Sequence, residues 1–99
     1  MTKNMFLIEI TYLVPAEELG DILPEHRAFL KDGYDNGLLL VSGPKQLRVG
    51  GIAMACASTM DEVKEFFSND PYQKHNLAEY RFVEFVPVLH QDFLSDWIA

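Results

Sequence analysis

The chain has 99 residues, of which 48% are apolar and 23% are charged, and its formal net charge at pH 7 is −7. This length predicts one domain over residues 1–99, large enough for a modest hydrophobic core. An acidic chain without a cluster of Lys and Arg repels phosphate backbones and anionic lipid headgroups, so composition argues against a role in binding nucleic acid or a membrane surface.

Cys56 is the single cysteine of the chain. One cysteine excludes an intrachain disulfide framework and the cysteine-rich zinc and iron–sulfur patterns, and it fits a reducing compartment. Glu9 interrupts the N-terminal apolar run, and no stretch of the sequence approaches the roughly 18 consecutive apolar residues of a membrane span. We therefore expect a cytoplasmic protein.

The first half of the chain predicts a strand, a helical segment and a second strand. Residues 5–14 are rich in β-branched and aromatic types, which favour a strand. Residues 16–35 are typical of a helix with a local break near Gly20 and Pro24, and Gly37 follows as a stop signal. Residues 38–44, mainly Leu and Val before a Gly-Pro step, predict the second strand.

The second half predicts a strand, a helix and a last strand. Residues 50–58 form the predicted third strand. Thr59 stands three residues before a glutamate, the spacing at which a hydroxyl and a carboxylate cap the start of a helix. This helix should end at Asn69, because the next residue precedes a proline. Residues 79–88 predict the fourth strand, and the tail over about 88–99 is expected to form a short terminal helix.

The order strand, helix, strand, strand, helix, strand is the split βαβ arrangement of ferredoxin-like α+β domains. It predicts a four-stranded antiparallel sheet with two helices on one face. The first and third strands are apolar on both sides, whereas the two helices cover only one face of the sheet. A second subunit is the simplest cover for the other face, so we predict a homodimer that pairs through the sheet and leave open whether dimers associate further.

His26 lies on the apolar stripe of the first predicted helix. The residues at helical offsets from it are Phe29, Leu30, Gly33 and Tyr34. This spacing directs the imidazole toward the interior. A lone histidine on such a stripe is more often a hydrogen-bonded core residue than a catalyst, so a catalytic role requires a partner.

Asp70 is the candidate partner of His26. The residue before a proline is disfavoured in helical conformation, so Pro71 should hold Asp70 extended at the end of the second helix. Two interpretations stay open. Asp-Pro is a common helix-ending turn, and it is also a way to present a carboxylate that orients the imidazole for general acid–base catalysis.

Two further side chains are candidates for contact with a ligand. Ser42 lies near the end of the second predicted strand and offers a hydroxyl to a pocket, although a serine at a strand end usually has no such role. Arg81 interrupts the apolar run of the last strand. It is a candidate to hold an anion, and it is equally suited to pairing with Glu9 or Glu84 on a neighbouring strand.

The sequence argues against a metal site and against a bound nucleotide. His75 and His90 do not share one turn of helix or strand with each other or with His26, and a metal centre needs three or four convergent ligands. Cys56 within "AMACA" resembles a small buried apolar residue. The glycine-rich stretches match neither a Walker nor a Rossmann phosphate loop. We therefore expect no metal and no cofactor.

Four segments, "LPEHRAFL", "GLLLVSGP", "GGI" and "SNDPYQKHNLAEYRFVEF", together resemble the YCII-related (YciI-like) protein family. The resemblance implies a ferredoxin-like domain that dimerises in the manner of the dimeric α/β-barrel group. It also implies an active-site histidine and aspartate, which correspond to His26 and Asp70. The Gly-Pro and Asp-Pro-aromatic turns of the family correspond to Gly43, Pro44, Pro71 and Tyr72.

These observations favour a small cofactor-free enzyme, a lyase, isomerase or hydrolase, that acts on a small organic molecule between the first helix, the sheet and the 70–77 loop. His26 would transfer the proton and Asp70 would orient it. The polar end of the substrate would contact Ser42, Tyr72 or Arg81. The alternative is a non-catalytic dimeric module that binds a small molecule or a partner protein. A third possibility is a metal-dependent reaction, which would require a metal that copurifies with the protein.

Overall fold

The computed structural model describes residues 3–98 and contains one four-stranded antiparallel sheet. The strands are β1 (Asn4–Tyr12), β2 (Leu39–Pro44), β3 (Gly50–Ala57) and β4 (Ala78–Phe85). Their order across the sheet is β2-β3-β1-β4, and every neighbouring pair is antiparallel. The predicted ferredoxin-like α+β arrangement is therefore confirmed, with β1 and β3 at the centre.

The connecting segments carry four α-helices and three short 3₁₀ turns. The helices are α1 (Leu23–Asp35), α2 (Met60–Phe67), α3 (Pro71–Lys74) and α4 (Ser95–Ile98). The 3₁₀ turns are Ala16–Leu19, Gln46–Arg48 and Asp92–Leu94. Within residues 3–98, no helix has the length and apolar character needed to cross a bilayer.

The helix boundaries follow local sequence signals. The break predicted near Pro24 separates the first 3₁₀ turn from α1, where proline occupies the first turn of the helix. Gly37 ends α1 with a φ of +81°, a conformation that glycine adopts without steric cost. At the start of α2, the Thr59 hydroxyl accepts a hydrogen bond from the backbone N–H of Glu62 at 3.2 Å, as the predicted cap requires.

The segment after α2 differs from the prediction. We expected a helix to Asn69 and then a loop over 70–77, but α2 ends at Phe67 and a further turn of helix, α3, follows. The Asp70 side chain caps α3 by accepting the backbone N–H of Tyr72 at 3.1 Å. The Asp-Pro step thus ends one helix and starts another, because aspartate is a good cap and proline is tolerated in a first helical turn.

The core lies between the helices and the inner face of the sheet. β1 contributes Phe6 and Ile8, β3 contributes Ala55, and α2 contributes Val63 and Phe67, all of which are fully enclosed. Alternate residues of β1 and one side of α2 therefore face the same interior.

The outer face of the sheet is apolar as well. The strand registers place Leu7, Met54 and Val83 side by side on this face, where each is half-buried. At its edges Val41 is 54% exposed and Phe85 is 41% exposed. A face of this composition is unusual for a surface in contact with water.

One close backbone contact between β1 and β3 depends on glycine. A Cβ atom added to Gly50 would lie 1.9 Å from the carbonyl oxygen of Ile10, whereas one added to Gly43 on β2 would meet nothing within 4 Å. We expect Gly50→Ala to lower the free energy of unfolding by about 3 kcal/mol, because the backbone of β1 has to move. Gly43→Ala should change it by less than about 1 kcal/mol. Urea denaturation followed by circular dichroism measures both, and equal stabilities would contradict the close approach.

Candidate active site

Asp70 lies at the junction between α2 and α3 and is completely buried. Its backbone is extended, with φ −63° and ψ 126°, as expected for a residue that precedes proline. One carboxylate oxygen, Oδ1, accepts the backbone N–H of Tyr72 at the start of α3. Local sequence therefore fixes both the main chain and the side chain of this residue.

Three donors converge on the Asp70 carboxylate. Beside the N–H of Tyr72, the Tyr80 hydroxyl on β4 donates to Oδ2 at 2.5 Å, and His26 on α1 donates from Nδ1 to Oδ1 at 2.8 Å. All three partners are donors, which is what an ionised carboxylate requires. Burial of a charge is costly without such partners, so this set of hydrogen bonds is what permits a carboxylate inside the core.

The imidazole of His26 is held from two directions. Its Nδ1 points to Asp70, and its ring stacks on the ring of Tyr72 with a centroid distance of 4.0 Å and an interplanar angle of 10°. A carboxylate oxygen is the acceptor in this contact, so the hydrogen lies on Nδ1. No described residue hydrogen-bonds to Nε2, and 12% of the side chain is exposed. Nε2 is therefore the ring nitrogen left for a ligand.

The tyrosines around Asp70 stay neutral at ordinary pH. Burial raises the pKa of Tyr72 to about 12. Burial, together with the hydrogen bond to Asp70, raises the pKa of Tyr80 well above its usual range. Tyr80 therefore acts as a permanent donor to the carboxylate.

An open cleft of about 260 Å³ borders His26. This His26 cleft is lined by Ile10, Tyr12, Leu23, His26, Arg27, Leu30, Ser42, Gly43, Pro44, Gly51, Ile52 and Ala53. It lies between α1 and the β2–β3 side of the sheet, and no residue of 70–77 lines it. Ser42 lines the cleft, and its hydroxyl lies 2.6 Å from the hydroxyl of Tyr34.

A second cleft of about 260 Å³ adjoins the first. This arginine cleft is lined by Tyr12, Ala16, Leu19, Gly20, Leu23, Arg27, Pro44, Arg48 and Tyr72. Tyr12, Leu23, Arg27 and Pro44 border both clefts. Tyr72 is therefore near the site, as predicted, but its ring supports His26 and faces the arginine cleft rather than the His26 cleft.

The position of Arg81 corrects one prediction. Along β4, Tyr80 and Phe82 pack toward the core, so Arg81 points to the outer face of the sheet, away from His26. Its side chain is 74% exposed, and Nη1 lies 3.7 Å from Oε1 of Glu9. The pairing with Glu9 that the sequence allowed is the observed one, and Arg81 borders neither cleft.

The remaining candidates do not join the site. His75 caps the end of α3, His90 lies in the tail, and both are exposed, while Cys56 is buried in β3. Over residues 3–98, no three side chains of His, Cys, Asp or Glu come close enough together to hold a metal ion.

Sequence reasoning missed Tyr80, Arg27 and Arg48. Tyr80 carried a usable signal, because a tyrosine on the apolar side of a buried strand needs a partner for its hydroxyl. Arg27 is adjacent to His26 in the chain, and nothing in its spacing distinguished it. Arg48 lies in the turn between β2 and β3 and borders the arginine cleft. Its position depends on the register of the hairpin, which the sequence pattern does not give.

The YCII-related domain matches residues 5–86, and the chain belongs to this family. This finding confirms the resemblance seen in the sequence. No curated protein matches the chain.

Solved structures of two enzymes share the fold. One is 5-chloro-2-hydroxyhydroquinone dehydrochlorinase (TftG) from Burkholderia phenoliruptrix AC1100 in complex with 2,5-dihydroxybenzoquinone. It has a TM-score of 0.72 and 22% identity, over 90% of this chain and 97% of that one. The other is SnoaB, a cofactor-independent oxygenase from Streptomyces nogalater. Two structures of it, one of a variant, have TM-scores of 0.51 and 0.52 and identities of 11% and 10%, over 93% of this chain and 99% of those chains.

The buried tyrosines predict a loss of stability at alkaline pH. An unfolded tyrosine loses its proton near pH 10, whereas Tyr72 keeps its proton to about pH 12 in the folded protein. Above about pH 10 the folded state thus binds more protons than the unfolded state, and the free energy of unfolding falls as the pH rises. Urea denaturation between about pH 9 and pH 12 measures this slope.

The control for this prediction is a comparison of tyrosine variants. Tyr72→Phe should make the dependence on pH less steep, because one of the tyrosines that keep their proton in the folded state is gone, while Tyr80 still contributes. Tyr34→Phe removes an exposed hydroxyl and should leave the slope unchanged. A slope that is the same in all three proteins would show that burial of Tyr72 does not control alkaline stability.

Proposed function

We propose that the protein is a cofactor-independent acid–base enzyme, a lyase, isomerase or hydrolase, that acts on a small ring compound in the His26 cleft. The observation that carries the proposal is the 2.8 Å hydrogen bond between Nδ1 of His26 and a fully buried carboxylate, with the same ring bordering an open cleft. A titratable group that is oriented by a buried charge and reachable from a cleft is typical of a catalytic base.

In this mechanism His26 takes a proton from the substrate on Nε2 and returns it to a different position or to a leaving group. Asp70 keeps the hydrogen on Nδ1, so that Nε2 is the free base, and its charge stabilises the imidazolium that forms. Tyr80 and the backbone N–H of Tyr72 hold the carboxylate in place. Proton transfer by a positioned side chain contributes roughly 10² to 10⁴ to a rate.

The walls of the His26 cleft support a small and mostly apolar substrate. Ile10, Leu23 and Leu30 supply apolar surface, and Ser42 supplies a hydroxyl for one polar group. A cleft of about 260 Å³ has room for one ring, since a cavity of about 150 Å³ holds benzene. TftG was solved with 2,5-dihydroxybenzoquinone, so hydroxylated six-membered rings are the first compounds to try.

The alternative is a binding module without turnover. It is favoured by one observation, which is that Asp70 also caps α3 and has a structural role of its own. In that case His26 would serve as a further donor to a buried carboxylate, and a ligand would bind in the cleft without being changed.

We also propose that two copies of the chain pair through the outer face of the sheet. Leu7, Met54 and Val83 form a continuous apolar strip on this face, and Val41 and Phe85 extend it toward solvent. A second sheet would remove this strip from water, and self-complementary pairing about a twofold axis is the commonest way to do so.

The cysteine content supports a location in the cytoplasm, which we also propose. The chain has one cysteine, and it is buried and unpaired. A reducing compartment is where free cysteines are the rule. Fractionation of cells that express the protein would test this location.

Substitution of His26 tests the catalytic proposal. With 5-chloro-2-hydroxyhydroquinone and related hydroxylated rings as substrates, His26→Gln should lower kcat/KM by roughly 10² to 10⁴. Its circular dichroism spectrum should be that of a folded protein of lowered stability, because Asp70 keeps two of its three donors. His90→Gln, on an exposed histidine of the tail, is the matched control. Release of chloride, or loss of the substrate absorbance, gives the rate.

Two other results would count against catalysis by His26. Turnover in the His26→Gln variant equal to that of the wild type would show that the reaction does not use the imidazole. Binding of 2,5-dihydroxybenzoquinone with no turnover of any ring compound would favour the binding module. Nitrogen NMR of the neutral His26 ring adds an independent check, because the mechanism requires the hydrogen on Nδ1.

A charge on the outer face of the sheet tests the dimer. Val83→Glu should convert a dimer to a monomer in light scattering after size exclusion, because two carboxylates would be buried at the interface. Leu47→Glu adds the same charge at a position that is 90% exposed and should leave the mass unchanged. A wild-type protein that is monomeric at all concentrations would contradict the proposed pairing.

A further inference from the structure

Arg27 and Arg48 face the same cleft, and neither pairs with a carboxylate of residues 3–98. Both border the arginine cleft, and Arg27 also borders the His26 cleft. Among the described residues, the ion pairs are formed by other cations, namely His26, Lys31, Lys45 and Arg81. What distinguishes the two arginines is therefore their position, since both border a cleft that adjoins the His26 cleft.

Arg48 is presented by a turn in an uncommon conformation. Leu47 and Arg48 both have positive φ, 70° and 55°, which costs energy for residues other than glycine. The turn is held by hydrogen bonds from Lys45 N–H to the Gly50 carbonyl at 2.8 Å and from Tyr12 N–H to the Val49 carbonyl at 2.9 Å. Such strained conformations concentrate where a side chain serves a ligand.

The other polar groups of the arginine cleft are donors too. The hydroxyls of Tyr12 and Tyr72 hydrogen-bond to no described residue. Burial raises the pKa of both, and Arg48 opposes this rise at Tyr12 while Arg27 opposes it at Tyr72. The two guanidinium groups and the two rings line the same cleft, and the hydroxyls stay protonated.

We propose that Arg27 and Arg48 form a subsite for a carboxylate, so that the ligand is a single-ring organic acid with its ring toward His26. The inference rests on the proposed function for the role of His26, but binding of the anion does not need turnover. A planar guanidinium matches a carboxylate with two parallel hydrogen bonds, and neutral phenol hydroxyls complete its coordination.

The acidic surface makes this local pair selective. A net charge of −7 repels anions from most of the protein, so the two arginines offer a place where an anion is attracted. Glu17 borders the neighbouring groove together with Arg48, but the two do not come within ion-pair distance. Arg48 therefore remains available to a ligand.

The test compares benzoate with benzamide, a neutral compound of the same shape. Both are titrated into the wild-type protein and followed by amide NMR shifts in α1 and in the β2–β3 turn. Benzoate should bind at least about tenfold more tightly than benzamide, which is the value of one hydrogen bond between charged groups. Arg27→Gln and Arg48→Gln should each weaken benzoate by about tenfold and leave benzamide unchanged.

Lys31→Gln is the matched control, because it removes the same charge one helical turn after Arg27 from a lysine that is paired with Asp35. Benzoate affinity should not change in this variant. Arg48→Gly provides a variant that folds well, since glycine accepts the positive φ; its melting temperature should rise while benzoate binding weakens.

Three outcomes would overturn the carboxylate subsite. They are equal affinities for benzoate and benzamide, unchanged benzoate affinity in both arginine variants, or an equal loss in Lys31→Gln. These outcomes are separate from failure of the catalytic proposal. Selective binding of benzoate without turnover of any ring compound would support the carboxylate subsite and contradict the catalytic proposal. Turnover that depends on His26 without selective binding of benzoate would support the catalytic proposal and contradict the subsite.

Discussion

The fold of this protein closes around one negative charge. Asp70 is the charged side chain that residues 3–98 enclose completely, and a buried carboxylate is tolerated only when donors replace the water it has lost. Its donors come from α1, α3 and β4, so the carboxylate connects three elements that are distant in the chain. Removing one of these donors leaves the buried carboxyl group with too few hydrogen bonds, which destabilises the core. Because His26 is one of the donors, its orientation is coupled to the stability of the core.

Much of the architecture could be read from the sequence because it depends on local patterns. The alternation of β1 fixed which residues face the core, and the hydroxyl of Thr59 marked the start of α2. His26 was placed on an inner helical face by spacing, and Asp70 was placed at a helix end by the proline that follows. The contact between their side chains spans 44 positions in the chain, so it needed the family resemblance in addition to local rules.

The parts that sequence reasoning missed depend on tertiary context. α3 was overlooked because the Asp-Pro step was interpreted as the end of a helix or as the carrier of a catalytic carboxylate, although the same side chain is a good cap for a following helix. Arg81 was assigned to the site because a charge in an apolar run attracts attention, but the alternation of β4 sends it to the other face once Tyr80 is known to point inward. Arg48 depends on a hairpin turn with two positive φ values, which no pattern in "PKQLRVGG" specifies.

The hairpin from Ser42 to Gly50 is a segment through which the lining of both clefts could change between proteins of this fold. One short segment carries Ser42 on the wall of one cleft and Arg48 on the wall of the other, while His26 and Asp70 come from entirely separate elements. This hairpin and the His26–Asp70 pair are thus encoded in different stretches of the chain, although Arg27, which borders both clefts, adjoins His26 on α1. Exchange of these nine consecutive residues would change one wall of each cleft, and the buried carboxyl group of Asp70 would not have to move.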